Sequence, residues 1–330
     1  MPTAMNSQAV PVTVDNFIRA ETDRALNNIV QQQGCFGKFY HFRDLAPLDK
    51  QPVPRVNRDT LYSSAIFDLD AAPVTITLPH AGKRFRSLFV VNQNHYVVSV
   101  AYHAGKYTIR QGKAGTRYVL VALRTLVDPS NSTDVEQAHA LQDAVKVEQK
   151  NPGRFEIPNW EPESQKQIRE ALKTLGVTLP DLRDAFGAQR EVDPVRHLIA
   201  TATAWGGNPD KDAIYLNFTP TNNDGKTVHT LQVNKVPVDA FWSITVYNAE
   251  GYLEANSLNR YNLNNLTAQR NADGSITVQF GGCDGNAPNC LPIMAGWNYI
   301  VRLYRPRREI LNGTWRFPDA QPVEAIKAAA

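Results

Sequence analysis

From Tyr62 to Arg124 the chain carries short strand-like segments in close succession with no helix-length spacer between them, and this spacing restricts the fold more than any other feature. Val74-Thr-Ile-Thr-Leu78 alternates apolar and polar residues, as a strand with one face on a core must. Phe85–Val91, Tyr96–Ala101, Tyr107–Arg110 and Tyr118–Arg124 follow, punctuated by Pro79, Gly82, Gly105, Gly112 and Gly115. Strands so close in sequence pair antiparallel, which predicts a sandwich or barrel. A second such block spans Ala213–Phe218, a hairpin turn at Asn222-Asn-Asp-Gly225, Val228–Val233, the apolar-aromatic run Phe241–Tyr247, a turn at Asn271-Ala-Asp-Gly274 into Ser275–Phe280, and Tyr299–Tyr304. Phe241–Tyr247 is expected to be central in its sheet.

Between the blocks the period changes to that of helices. Thr133-Asp-Val-Glu136 fits a capping box ahead of the stripe Val135, Ala138, Leu141 and Val145. A second helix is predicted from Glu163 to Leu175, stopping at Gly176, and a third is announced by Asp193-Pro194, a cap residue before a proline at the first helical position. Thr13–Gln33 reads as an N-terminal helix closed by Gly34, and Gly37–Val56, with Pro47, Pro52 and Pro54, as extended coil crossing the surface of something larger. The predicted fold class is mainly β with a helical connector: two antiparallel β-sandwich or jelly-roll domains plus an N-terminal helix. The expected boundaries are 1–36 for that helix, 37–132 for the first β domain, 133–206 for the connector, 207–318 for the second β domain and 319–330 for a tail.

The chain of 330 residues is long enough for two cores at about 150 residues per domain. Its 35 Lys+Arg against 32 Asp+Glu leave a charge of +3 spread along the sequence, too even for a phosphate-reading surface, so no nucleic-acid partner is expected. No apolar run reaches the roughly 18 residues of a membrane helix, so no membrane partner is expected either. Met1–Val12 shows neither the basic start nor the apolar centre of a secretory leader, which gives a cytoplasmic expectation, with a periplasmic one if a leader is absent from the sequence given. Cys283 and Cys290 bracket a short Gly- and Pro-bearing loop that suits a disulfide and two reduced thiols equally; Cys35 reads as a small buried hydrophobe.

Residues 57–70, NRDTLYSSAIFDLD, resemble the signature of a bacterial domain of unknown function numbered 1254, and GKRFRSLFVV with NQNHY (82–96) and RTLVDP (124–129) are similar to its later motifs. From Gly207 on, the chain resembles the partner domain numbered 1214, through FWSITVYNAEGYL (241–253), NRY (259–261), NADGSITV (271–278), CLP (290–292), VRLYRP (301–306) and ILNGTW (310–315). The resemblance covers most of 34–318 and implies two antiparallel β units with helices between them, but no activity. Many relatives have Asn-Trp-Leu-Pro where this chain reads Asn289-Cys290-Leu291-Pro292.

Asn57-Arg58-Asp59-Thr60 is the densest polar cluster ahead of a strand. Arg58 can clamp a carboxylate-bearing ligand while Asp59 orients a base, and the Tyr62 phenol can donate into the same pocket; a structural ion pair with a Thr turn uses the same residue types. Asn92-Gln-Asn-His-Tyr96 is too polar for an apolar core, so it builds a polar pocket or a solvated turn. Within it His95 is the acid/base candidate, with an ordinary pKa near 6.5, and Tyr96 a substrate contact. His95 and His103 have the even separation that would put both on one strand face. The helix start at Asp193 offers amides to an anion, with Arg196 and His197 as further substrate-binding candidates, unless Asp193 itself caps them. The aromatic residues of the C-terminal block serve sugar stacking or core packing.

No HExxH, clustered Cys/His, GxSxG, GxGxxG or P-loop pattern occurs, so neither metal nor cofactor is expected. The expected function is a cofactor-independent hydrolase or lyase acting on a small organic molecule, with Asp59 and His95 as acid/base pair in a pocket between the β domains. The alternative is a non-catalytic protein binding sugars or aromatic molecules, or an oligomeric scaffold, with homo-oligomer formation left open.

Overall fold

The computed structural model describes residues 9–51 and 53–323. Most of the stretch read for a leader, and the end of the expected tail, lie outside them. The chain divides into two compact units, one of residues 1–43, 62–126 and 136–210, the other of 44–61, 127–135 and 211–330.

The first unit contains α1 (Phe17–Gln33), β1 (Tyr40–His41), most of β2 (Thr60–Asp68), β3 (Val74–Leu78), β4 (Arg86–Asn92), β5 (Val97–Ala101), β6 (Gly105–Ile109), α2 (Gln111–Ala114), β7 (Tyr118–Leu126), most of α3 (Ser132–Asp143), β8 (Lys146–Gln149), α4 (Pro162–Gly176) and α5 (Pro194–Thr203). Its sheets run β1-β2-β7-β4-β5 and β6-β3-β8. Phe67, Ile76, Leu88 and Val121 belong to the core between them, while the alternate residues Ile66, Phe89, Val91 and Leu120 pack with Leu26 of α1. Both faces of β4 are therefore covered, which explains why all seven of its residues are buried. The connector helices α4 and α5 pack with α1 within this unit through Phe17, Leu172 and Ile199.

Helix starts follow cap chemistry. Glu161 accepts from the amides of Glu163 and Ser164 at 3.0 and 2.7 Å, and Asp193 from those of Val195 and Arg196 at 2.9 Å each. The α3 start differs from expectation: Asn131, not Thr133, is the cap, its side chain accepting from the Asp134 amide at 3.2 Å. The Asp134 carboxylate instead accepts from the Asp128 amide at 2.7 Å, which draws the helix start back toward the preceding turn.

The second unit contains β9 (Ala213–Phe218), β10 (His229–Val233), β11 (Trp242–Tyr247), β12 (Asn262–Asn264), β13 (Ile276–Phe280), β14 (Cys290–Leu291), β15 (Asn298–Tyr304), α6 (Arg308–Leu311) and β16 (Gln321–Pro322). Its sheets run β12-β11-β15-β9 and β14-β13-β10-β16, and β11 is an inner strand as expected. Ile244, Val278, Phe280 and Val301 fill the space between them. The aromatic load is core here: Trp297 stacks on Phe280 at 5.1 Å and Phe218 on Tyr299 at 4.8 Å. Cys283 and Cys290 form a disulfide with their Cα atoms 5.7 Å apart. The fold is thus β-rich, with several antiparallel sheets, helices as connectors and no barrel. Among the described residues no helix is long and apolar enough to cross a membrane, and no group of three or more His, Cys, Asp or Glu is placed to hold a metal ion.

Candidate functional site

Alternation along β11 and β15 creates a polar sheet face. Trp242, Ile244 and Val246 point into the core, so Ser243, Thr245 and Tyr247 point the other way; Arg302 lies opposite Ser243 on β15, and Asn262 opposite Thr245 on β12. Segment 44–61 of the same unit lies over this face, with Leu48 and Val56 packed against the cluster of Tyr247, Tyr261 and Ile300.

Asp59 is fully buried on this face. The Ser243 hydroxyl donates to its Oδ2 at 2.5 Å and the Asn262 amide to its Oδ1 at 2.9 Å, while its own amide donates to Asn57. Burial raises its pKa above the ordinary value, against the opposing pull of Arg302 and these two hydrogen bonds. Arg302, 3% exposed, donates to the Thr245 hydroxyl, the Tyr247 hydroxyl and the Arg55 carbonyl at 2.7–2.9 Å. Arg55 donates to Asn298 at 2.8 Å and lies 5.9 Å over the Tyr247 ring. Arg58 donates to the Ala46 carbonyl at 2.5 Å and lies 5.3 Å over Tyr261. The side chain of Asn57 donates to the Tyr304 hydroxyl at 2.9 Å. Arg302, whose charge acts on Asp59, thus shares this face with the guanidinium groups of Arg55 and Arg58, which lie over Tyr247 and Tyr261. An arginine over an aromatic face gains a cation–π term and keeps its remaining donors for an acceptor.

His95 lies in the first unit, in a left-handed turn with φ of 62° between β4 and β5. Its Nε2 accepts from the Gly206 amide at 2.8 Å, so the proton sits on Nδ1 and is donated to the Thr201 hydroxyl at 2.8 Å. That hydroxyl donates onward to the His197 carbonyl at 2.8 Å. Trp205 stacks on the ring at 5.5 Å. Burial, with His197 beside it, pushes the imidazole pKa down to about 3. The ring is a neutral, fully bonded packing element.

The expectation that the NQNHY run is unsuited to a core is corrected. Asn92, Gln93 and His95 are buried, because each polar group finds a partner inside. Asn92 donates to the Ala114 carbonyl and accepts from the Asn94 and Tyr96 amides; Gln93 donates to Asp23 at 2.6 Å and accepts from the Tyr118 amide. The positive φ at His95 keeps it off the strand of His103, which is an exposed single histidine just past the end of β5.

The other candidates fall in the first unit. Tyr62 lies under Arg124 at 5.4 Å, and Tyr96 stacks on His197 at 4.6 Å. Arg196 pairs with Asp181 at 3.0 Å, and both ring nitrogens of His197 face backbone carbonyls, of Ala185 and Asn94. The α5 amides expected to meet an anion donate instead to the Asp193 carboxylate. The first unit also has a cleft of about 450 Å³ lined by Asp68, Asp70, Arg117, Asn151 and Arg154, but its Asp68 and Arg117 neutralise each other in a two-pronged contact at 2.8–3.1 Å.

Reading the sequence missed Ser243, Asn262 and Arg302, and also Glu21 and Asp23 of α1. Glu21 is buried and held by Arg24, Arg169 and Gln165; Asp23 is buried and accepts from Gln93 and Trp160. The available signal was a hydrophilic residue at every second position of an apolar strand, Ser243 and Thr245, and two carboxylates amid an otherwise apolar helix face.

A solved structure of the VPA0106 protein from Vibrio parahaemolyticus is similar to this chain with a TM-score of 0.74 at 17% identity, covering 95% of this chain and all of the other. A putative uncharacterized protein from Burkholderia cenocepacia is similar with a TM-score of 0.51 at 12% identity, covering 89% and 85%. These likenesses concern the fold. A search of the curated proteins found no match. Residues 36–149 match the family described as protein of unknown function DUF1254, and residues 215–308 the one described as protein of unknown function DUF1214. The first match contains Asp59 with its NRDT motif and the second contains Ser243, Asn262 and Arg302, so the chain carries a DUF1254 match followed by a DUF1214 match.

Proposed function

We propose that this protein binds a small anionic organic molecule at the polar sheet face of its second unit. One observation carries the reading: Arg55 and Arg58, over Tyr247 and Tyr261, share one sheet face with Arg302 and with a single carboxylate, Asp59, whose own charge burial disfavours. The local excess of positive charge suits a carboxylate or phosphate ester, and Tyr247 and Tyr261 supply flat apolar surface for its organic part. Arg58, half-buried at the edge, makes the first contact. A thermal-shift panel tests this with paired probes, benzoate against benzamide and succinate against succinamide. The anions should raise the melting temperature and the amides should not, and Arg58→Ala should remove the anion response. Equal shifts from both members of each pair, or from neither, contradict the reading.

The short bond from the Ser243 hydroxyl to a carboxylate of raised pKa favours a second reading, in which this centre is a hydrolase or lyase and Asp59 its acid or base. His95, held neutral elsewhere, has no proton-transfer role in it. If the anion that binds is also converted, Asp59→Asn should stop conversion and leave binding in place; conversion at the wild-type rate by Asp59→Asn removes this reading.

A further inference from the structure

Arg86 opens β4 and directs its side chain to the same inner face of the first unit's sandwich as Leu88 and Val90. It is 2% exposed. Its Nη2 donates to the Pro79 carbonyl at 2.6 Å, but Nε and Nη1 have no partner among the described residues. A guanidinium presents five N–H donors and keeps its charge at any ordinary pH, so burying it unmatched is among the least favourable arrangements a core can contain. Arg302 shows how the same chain satisfies a buried guanidinium, by aiming two hydroxyls and a carbonyl at it. Around Arg86 such acceptors are scarce. Thr125 lies opposite it on β7, yet neither its hydroxyl nor that of Tyr107 on β6, which donates to the His103 carbonyl at 2.9 Å, accepts from Nε or Nη1. The core of the same sandwich is aliphatic, with Leu78, Leu88 and Leu123 among its residues.

A buried group of this kind calls for a compensating partner, and one positive charge in an aliphatic setting calls for a compact single negative one. We propose that the inner end of the first unit's sandwich is a binding site for a small inorganic monoanion of halide or nitrate size, held by Nε and Nη1 of Arg86. The site is independent of the polar face of the second unit. The anion neutralises a charge that the fold cannot otherwise match, so its occupancy is coupled to the stability of the first unit.

The test is thermal melting of the full chain in sodium bromide against sodium gluconate at equal ionic strength, for the wild type and Arg86→Met. Bromide should raise the wild-type melting temperature to a plateau and produce no specific rise in Arg86→Met, whose apolar side chain has no charge to match. An equal bromide response in both proteins, or none in the wild type, overturns the proposal. Should Arg86→Met fail to fold, anomalous diffraction from bromide-soaked wild-type crystals decides. A peak within hydrogen-bonding reach of Nε and Nη1 supports the site; a protein acceptor or a water in that position overturns it.

Discussion

His95 shows how a residue with the chemistry of a catalyst becomes part of a wall. Its ring is closed by an amide on one side and a hydroxyl on the other, and with a pKa of about 3 it folds only as the neutral form. The unfolded chain takes up a proton near the ordinary 6.5, so between those values the unfolded state binds more protons. The stability His95 contributes is complete above pH 6.5 and declines as pH falls toward 3, by about 1.4 kcal/mol for each unit crossed as an upper bound. His95→Asn, which tolerates the left-handed turn, should flatten the dependence of the unfolding midpoint on pH across that window; an unchanged slope contradicts the assignment. Gly153 makes a second residue-scale prediction. Its φ is 70°, and a Cβ there would collide with Asp68 Oδ2 and lie 2.8 Å from the Ala71 methyl. Gly153→Ala should destabilise the first unit by about 2 kcal/mol or more, read from its urea midpoint, by straining the turn and displacing Asp68 from Arg117. At this scale Asp59 was legible because polar residues cluster beside it in the sequence. Its partners were not, since Ser243, Asn262 and Arg302 stand about two hundred residues away, gathered by strand pairing on a face that Asp59 reaches only through its covering segment.

Elements were read more easily than partners. The helices α1, α4 and α5 announce themselves through stripes and stops, and the Asp193 cap is found in place, whereas the Glu161 cap of α4 was not read. Thr133 misled because Asn131, two positions earlier, offers the α3 amides the same chemistry. The NQNHY run misled for a different reason: buried polarity is paired across elements, here with Asp23, Ala114 and Tyr118, and local composition cannot show those pairings. The loop 283–290 was ambiguous in composition and is settled by the structure as a disulfide. Closing so short a loop contributes about 2 kcal/mol. Dithiothreitol should therefore lower the denaturation midpoint of the wild type and leave a Cys283→Ser/Cys290→Ser double variant unmoved; a wild-type midpoint insensitive to reduction contradicts this.

At the scale of the whole molecule, the two β blocks and their order were legible from strand spacing, and the family motifs agree with them. Discontinuity was not legible. Residues 44–61 precede the first block in sequence but gather with the second unit, because the proline-rich segment covers an apolar and aromatic cluster of Tyr247, Tyr261 and Ile300 that the sheet alone leaves open. That covering places Arg55, Arg58 and Asp59 on one sheet face with Arg302, and the proposed function depends on it. The most direct measurement is calorimetric titration of the intact chain with benzoate, repeated on an Arg55→Ala/Arg58→Ala variant with an unchanged far-ultraviolet spectrum. Saturable binding by the wild type, weakened at least tenfold in the variant, is the expected result; equal affinity in the two proteins, or no heat of binding in either, contradicts an anion site at this face.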